Sequence, residues 1–304
     1  MYYKYSDFLV NKYGAKTYKL TVNLPVTCPN RNGTKGKGGC SFCSPVGAGF
    51  ECEPNHIPVA EQIAISKEKI LKRHKAEKFI AYFQNFSNTY LPLEQFKAYV
   101  DAAAETDVCE IAVSTRPDVI PDSHILYLKE LSERTGKNIT VELGLQTSND
   151  ETLLRINRGH SVADYIEAAQ RLKRLFPKAE LCSHVILNLP GDDMDDTIRT
   201  AKLMNRVSSD HVKLHALYLV EGTRMAEEYR RGEFEIIPVD EYIERVICFL
   251  EHLSPDTAIQ RLIGRAPQEG SVFMNWNMSW HRIINDIEKK MADEKRFQGR
   301  LYQK

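Results

Sequence analysis

Three cysteines within sixteen residues, Cys28, Cys40 and Cys43 in TCPNRNGTKGKGGCSFC, are the side chains of this sequence best suited to soft-metal chemistry. Thiolates ligate iron–sulfur clusters and zinc, and a glycine-rich connection lets ligands distant in sequence converge on one centre. Two outcomes are open. A fourth ligand from Cys52, with His56 in reserve, would close a structural zinc site. Three thiolates alone would hold a cubane cluster with one iron open to a further ligand, and such a site is reactive. The C-x11-C-x2-C spacing, the aromatic Phe42 just before the third cysteine, and the absence of a second knuckle around Cys52 favour the cluster.

Polar groups recur downstream at the ends of short apolar runs. They are Gln84, Asn85, Ser87 and Asn88; Ser114, Thr115 and Arg116; Glu142 and Gln146; and His184 and Asn188. The segment HVKLHALYL alternates His211, Lys213 and His215 with Val212, Leu214 and Ala216, which as a strand puts three polar side chains on one face. Buried parallel strands are usually apolar on both faces, so one polar row predicts a wet cavity.

The elements that must position these groups alternate. Strands are predicted at Leu20–Val26, Phe79–Phe83, Cys109–Ser114, Ile139–Leu145, Glu180–Leu189 and Val212–Leu219. Helices intervene near residues 59–71, Leu93–Ala104, Ser123–Glu133, Val162–Leu175 and Met194–Arg206. Strict alternation gives a parallel sheet. Polar strand ends throughout favour a (β/α)6 partial TIM barrel, an α/β fold whose site lies at the carboxyl ends of its strands. Beyond Gly222 we expect a helical hairpin at Val239–Leu253, then AIQRLIGRAP with Arg261 and Arg265, and a last helix. The expected division is a barrel over 1–235, including a basic, aromatic N-terminal extension, and a helical C-terminal extension over 236–304.

Charge is balanced, with 41 basic and 41 acidic residues, so no global field announces a DNA partner. Locally the first forty residues carry seven Lys/Arg against Asp7, and the tyrosines Tyr2, Tyr3, Tyr5, Tyr13 and Tyr18 lie among them. They could stack on bases beside bound phosphates, or pack on the barrel wall. Seven cysteines without paired spacing argue against a disulfide framework and for a reducing cytoplasm. No run of 18 apolar residues is present, so no membrane partner is expected.

The motifs CPNRNGTKGKGGCSFC, YFQNFSNTY, STRPD, ELGLQTSNDETLLRINRGH, HVILNLPGD and VKLHALYLVEGT together resemble a radical S-adenosylmethionine (SAM) enzyme. The likeness is to the branch related to the Elongator catalytic subunit, closest to the short bacterial YhcC/YtqA-like proteins, over roughly residues 10–270. It implies a [4Fe-4S] cluster on Cys28, Cys40 and Cys43, with SAM chelating the fourth iron and yielding a 5′-deoxyadenosyl radical on reduction. It also implies SAM contacts from Gln146 and Arg158, with Phe42 at the adenine and His184 facing SAM. Gln84-Asn85 stands where many families have Gly-Gly-Glu, and Ser114 where relatives often carry an acidic ribose contact. Glu142 joins this cofactor-binding set.

The resemblance implies modification of tRNA at the C5 side chain of a wobble uridine, fed by a flavodoxin- or ferredoxin-type electron donor. The N-terminus, the Lys67–Lys78 stretch and the basic tail are candidate phosphate-binding surfaces. Lys213 and His215 are the candidate catalytic groups, and Arg261 and Arg265 the candidate substrate contacts. Radical chemistry on a free small molecule, or a zinc-stabilised RNA-binding module, are the alternatives.

Overall fold

The computed structural model describes residues 1–44, 47, 52–265, 267 and 269–303. Seven parallel strands curl into a half-barrel: β1 (Thr17–Val22), β2 (Lys78–Phe83), β3 (Glu110–Thr115), β4 (Asn138–Gln146), β5 (Glu180–Ile186), β6 (His211–His215) and β8 (Ala258–Arg261). The strands lie in chain order across the sheet. β8 is the strand the sequence hides. AIQR has only four residues and no alternation to read, yet it continues the sheet beyond β6. The stretch before it is one helix, α9 (Val239–His252), and not a hairpin. β1 also starts three residues earlier than expected and ends at Val22, since Pro25 cannot donate a ladder hydrogen bond.

Between the strands run α2 (Val59–Leu71), α3 (Leu93–Ala104), α4 (Asp122–Thr135), α5 (Asp150–Arg155), α6 (Val162–Leu175) and α7 (Met194–Arg206). Local chemistry sets several of their ends. Ser161 with Asp164, and Asp193 with Asp196, close reciprocal capping boxes at the starts of α6 and α7. Gly136, at φ 69°, ends α4 in the left-handed conformation.

The two-residue period of the strands divides the interior. Leu20, Phe83, Val113, Val141, Val185 and Leu214 face the helices and join one large apolar core. The alternate residues face the barrel lumen, where β6 contributes the row His211, Lys213 and His215 and β4 contributes Thr140 and Glu142. Because one residue of slip would exchange the rows, this pattern pins the register.

At the amino ends of the strands the lumen is stoppered by α1 (Tyr5–Tyr13). Tyr5 and Leu9 are buried against Ile80, Tyr82, Ala112 and Ala258. Lys12 pairs with Glu110 at 3.0 Å and Glu180 at 2.6 Å, and Tyr13 donates to Glu110 at 2.6 Å. This stretch of the basic, aromatic N-terminus is therefore packed inward, and its central lysine is spent in the barrel floor.

A small antiparallel pair, β7 (Leu219–Val220) with β9 (Ser271–Phe273), and the helices α8 (Arg224–Arg230) and α10 (Trp280–Asp293) complete the chain. α9 packs on α7, and α10 on α9. Gln298 ties the two ends of the chain together: its backbone N–H donates to Met1, its side chain accepts from Tyr3 N–H at 2.9 Å, and its amide donates to Thr257 at 2.8 Å. No helix among the described residues is long and apolar enough to cross a membrane.

Glu110 is fully buried and accepts from Lys12, Tyr13 and Thr140. Glu110→Gln is expected to lower folding stability by about 3 kcal/mol, because the lysine keeps its charge while losing a buried partner. Chemical denaturation measures this, and an unchanged midpoint would mean the floor network is energetically silent.

Candidate functional site

The cysteine loop leaves β1 and is folded back over the carboxyl ends of the strands. Cys28, Cys40 and Cys43 line one cavity of about 170 Å3, together with Ser87, Ser114, Arg116, Gln146, Arg158 and His184. Asn30 anchors the loop by donating to Asn157 O at 2.5 Å. Arg116 clamps its far side, donating to Arg158 O at 2.7 Å while its other nitrogens grip Asp118.

Each sulfur faces a donor. Ser87 Oγ stands 3.7 Å from Cys28 Sγ, Arg158 Nη1 3.4 Å from Cys40 Sγ, and Arg31 Nη2 3.2 Å from Cys43 Sγ. Such donors favour the thiolate, the form that binds metal. For Cys43 burial pushes the thiol pKa up, Cys40 adds to the rise, and Arg31 opposes it. Cys52 and His56 do not line this cavity among the described residues.

Opposite the sulfurs, Gly144 lets the ends of Arg158 and Gln146 approach the backbone closely. A Cβ there would stand 2.6 Å from Arg158 Nη2 and 2.8 Å from Gln146 Nε2. Gln146 holds the positive φ of 85° that ordinary side chains avoid, and the Arg158 Nε is buried with no partner among the described residues. His160 Nε2 donates to Gly144 O at 3.1 Å, and burial, with Arg158 and Arg116 beside it, lowers its pKa to about 3.

Behind His184 lies a charged cluster in the lumen. Glu142 is fully buried and is held by His184 Nε2 at 2.7 Å, Lys213 Nζ at 3.2 Å and Lys19. Burial alone would push the Glu142 pKa up, but Lys19, Lys213 and His184 outweigh it and hold the carboxyl well below its usual range. Burial, opposed by Glu142 and reinforced by Lys19 and Arg261, lowers Lys213 to about 8. His184 falls to about 4 for want of solvation, so it is neutral at pH 7 and donates its Nε2 proton to Glu142. Lys213 also donates to Tyr82 at 2.8 Å, and Arg261 donates to His215 Nδ1 at 2.6 Å. Glu142, Cys182 and His184 bring ligand atoms within 4.8 Å of one another, but Lys19 and Lys213 already occupy the carboxylate and oppose a cation there.

Lys19, Tyr82, Lys213 and Arg261 of this cluster also line a larger cavity, about 770 Å3, at the gap between β1 and β8. Tyr5, Lys16, Lys19, Tyr82, Gln84, Lys213, Arg261 and Trp280 are among its lining residues.

Residues 23–204 match the radical SAM superfamily, and residues 209–293 match the radical SAM C-terminal domain. The chain belongs to the radical SAM superfamily. Members of this superfamily use a [4Fe-4S] cluster and SAM. The donor set fits both groups: three sulfurs with N–H or O–H partners for the cluster, and for SAM the amide of Gln146 and an arginine whose buried Nε lacks a partner among the described residues, both lining the same cavity.

Among radical SAM relatives, the uncharacterized protein YtqA of Bacillus subtilis is 34% identical over 100% of this chain and 93% of its own length. Protein YhcC of Escherichia coli is 33% identical over 85% of this chain and 82% of its own. A tRNA uridine(34) acetyltransferase of Methanocaldococcus jannaschii is 30% identical over 51% of this chain and 28% of its own. The solved structure of Methanocaldococcus infernus Elp3 superposes with a TM-score of 0.70 at 20% identity, covering 93% of this chain and 64% of that one, which establishes the shared fold.

The structure brings together Cys28, Cys40, Cys43, Ser114, Gln146, Arg158 and His184 at one cavity, and Gln84, Lys213 and Arg261 at the other. Glu142 lies between them, bound to protein cations. His215 stands behind Arg261, its ring 5.2 Å from that of His184. Phe42 packs instead on a separate apolar cluster around Leu153 and Ile186, and does not line the cysteine cavity. Asn85 is buried and donates to Asn23 at 3.1 Å. Arg265 is exposed over the Trp280 ring and lines neither cavity. Sequence reasoning missed Lys19 and Tyr82 as site residues. Both occupy inward positions, and the alternation Thr17, Lys19, Thr21 in TYKLTV was the available signal.

Two outcomes are expected. Cys52→Ala protein reconstituted anaerobically keeps its iron while Cys40→Ala loses it, as read by iron content and visible absorption. Separately, a histidine with a depressed pKa stabilises the fold above its unfolded value near 6.5 and loses that contribution as pH falls toward 4. His184→Asn should therefore flatten the decline of stability between those pH values, measured by denaturation at fixed ionic strength.

Proposed function

We propose that this radical SAM enzyme modifies tRNA, acting on the C5 side chain of a wobble uridine. The observation that carries this reading is the gap cavity between β1 and β8. Lys4, Lys16, Lys19, Lys213 and Arg261 line it with Asp7 as the one carboxylate among its described lining residues, alongside Tyr2, Tyr5, Tyr18 and Tyr82; from outside the lining Glu288 pairs Lys4, and Glu142 pairs Lys19 and Lys213. Cations beside aromatic faces suit a nucleotide, whose phosphate and base they would hold. Similarity to proteins named tRNA uridine(34) acetyltransferase supports the nucleic-acid class.

In this reading Cys28, Cys40 and Cys43 hold the cluster, and Gln146 and Arg158 hold SAM. When bound, the cluster and SAM would supply one-electron radical chemistry. The chain's own work is to orient and to exclude water. His184, kept neutral, spaces the cysteine cavity from the charged lumen by donating to Glu142. Lys213 and Arg261 present positive charge to the substrate from the lining of the gap cavity, and His215, its Nδ1 occupied by Arg261, fixes that guanidinium. Lys213, with a pKa near 8, can give up a proton close to neutral pH, so it is the candidate proton carrier. Carboxymethylaminomethyl-to-aminomethyl remodelling is the specific change we assign.

Radical chemistry on a free small molecule is the second reading. It draws on 26% identity to a Methanococcus vannielii biotin synthase over 79% of this chain.

Mass analysis of tRNA nucleosides from a strain lacking this protein tests the choice. Accumulation of the carboxymethylaminomethyl nucleoside with loss of the aminomethyl form is expected, and an unchanged profile rejects the tRNA reading. Lys213→Met is expected to abolish complementation of that strain, with at least about a hundredfold lower turnover, while iron content stays at the wild-type value.

A further inference from the structure

The gap cavity between β1 and β8 holds buried polar atoms that the fold leaves unanswered. Tyr5 Oη, Gln260 Nε2 and Arg261 Nε are buried without a hydrogen-bond partner among the described residues, and all three residues line that cavity. Buried donors are nearly always paired, so three at one cavity point to an acceptor that a ligand brings. The amide of Gln260 can be oriented in only one way. Lys19, which has donors alone, bonds Gln260 Oε1 at 2.7 Å, so the NH2 group faces elsewhere. Tyr5 lies beside the same lysine, whose Nζ is 5.3 Å from the centre of its ring. A register shift where β8 meets β6 lets Arg261, next in the chain, face the lumen as Gln260 does. Arg261 Nη2 donates to His215 Nδ1 at 2.6 Å, and a Cβ on Gly264 would stand 3.1 Å from the same nitrogen, so the guanidinium is fixed. Within the lumen Lys12 holds Glu110 and Glu180, and Lys19 and Lys213 share Glu142. Arg261 makes no ion pair among the described residues, so these four cations face three carboxylates and one positive charge is unmatched. Lys4, Asp7 and Lys16 are exposed at the mouth and stand outside this count.

We propose that Tyr5, Gln260 and Arg261 form a carboxylate pocket, which takes the terminal carboxylate of the substrate side chain and distinguishes substrate from product. The proposal rests on reading the gap cavity as the site of the modified uridine. One unmatched positive charge suits a monoanion better than a phosphate dianion. An arginine fork beside an amide suits the two coplanar oxygens of a carboxylate. A phosphodiester is the weaker occupant, because it belongs to a backbone that stays outside, whereas the unpaired donors are buried. The carboxymethylaminomethyl side chain carries its carboxylate at the far end, where it can reach them. The aminomethyl product has lost that group and keeps an ammonium, which Lys19, Lys213 and Arg261 repel. Binding therefore favours the unreacted side chain, and the same charges favour release of the product. No covalent bond changes in the pocket itself.

The test is calorimetric binding to the full chain, with free 5-carboxymethylaminomethyluridine, its methyl ester, 5-aminomethyluridine and N-benzylglycine as probes. The acid is expected to bind at least about tenfold more tightly than the ester or the amine. Gln260→Glu keeps a partner for Lys19 but sets a negative charge in the pocket, and is expected to weaken the acid about tenfold while sparing the ester. Tyr5→Phe removes one hydroxyl and is expected to weaken the acid about threefold. Arg261→Lys keeps the charge without the fork and is expected to cost the acid about tenfold in Kd. Unfolding midpoints at the wild-type value accompany these losses. The proposal is overturned by absent wild-type binding of the acid, by equal affinity for acid and ester, or by variants that weaken both alike. Displacement of the acid by inorganic phosphate at lower concentration than by acetate overturns it too. If tRNA nucleosides of the deletion strain are unchanged while N-benzylglycine still binds through Gln260 and Arg261, the tRNA reading falls and the pocket stands. If the nucleosides change but acid and ester bind alike, the pocket falls and the tRNA reading stands.

Discussion

A single carboxylate, Glu142, sets the polarity of the whole lumen. Fully buried on β4, it is the shared anion for Lys19 on β1, Lys213 on β6 and His184 on β5. Four strands thus meet at one group, and each cation is tolerable in the interior only because that group is ionised. Without it Lys19 and Lys213 would be like charges facing across a poorly solvated space. His184 stays neutral chiefly because burial denies it solvation, and Lys213 and Arg261 oppose the pull of Glu142. This group of charges lies between the two cavities, with His184 lining the cysteine cavity and Lys19 and Lys213 lining the gap cavity.

The parts of this arrangement differ in how openly the chain displays them. Alternation in HVKLHALYL put His211, Lys213 and His215 on one face, and the lumen row of β6 is that face. The three cysteines needed no structure to be singled out, because few contexts besides a metal centre gather thiols around a glycine-rich loop. Lys19 was less visible. Near the chain's start it read as one more basic residue among many, and only the pairing of β1 with β2 turns it inward. β8 was invisible for a related reason: a four-residue edge strand gains its identity from β6, not from its own composition. Phe42 shows another limit: an aromatic beside a cysteine suggests a ring near the cofactor, while its packing on the apolar cluster around Leu153 is not written in the local sequence.

The loop that carries the cysteines is built from polar contacts rather than from regular structure. Asn30, Arg31, Arg116 and Asn157 donate to backbone oxygens across it, and Gly39 adopts φ 81° where a Cβ would press on Arg31. Such a loop is positioned by the barrel beneath it and by few apolar contacts of its own. This fits a segment that must present three sulfurs at set positions while leaving the space between them open.

The knot at Gln298 has a bearing on how the protein is made. Residues from both extremities, Tyr2 and Lys4 on one side and Trp280 and Ile284 on the other, share a wall of the gap cavity, and Gln298 binds Met1, Tyr3 and Thr257 to hold them there. During synthesis the strands from β1 to β6 emerge long before that glutamine does. The nascent sheet thus waits with this wall of its gap unbuilt until Trp280, Ile284 and Gln298 reach it.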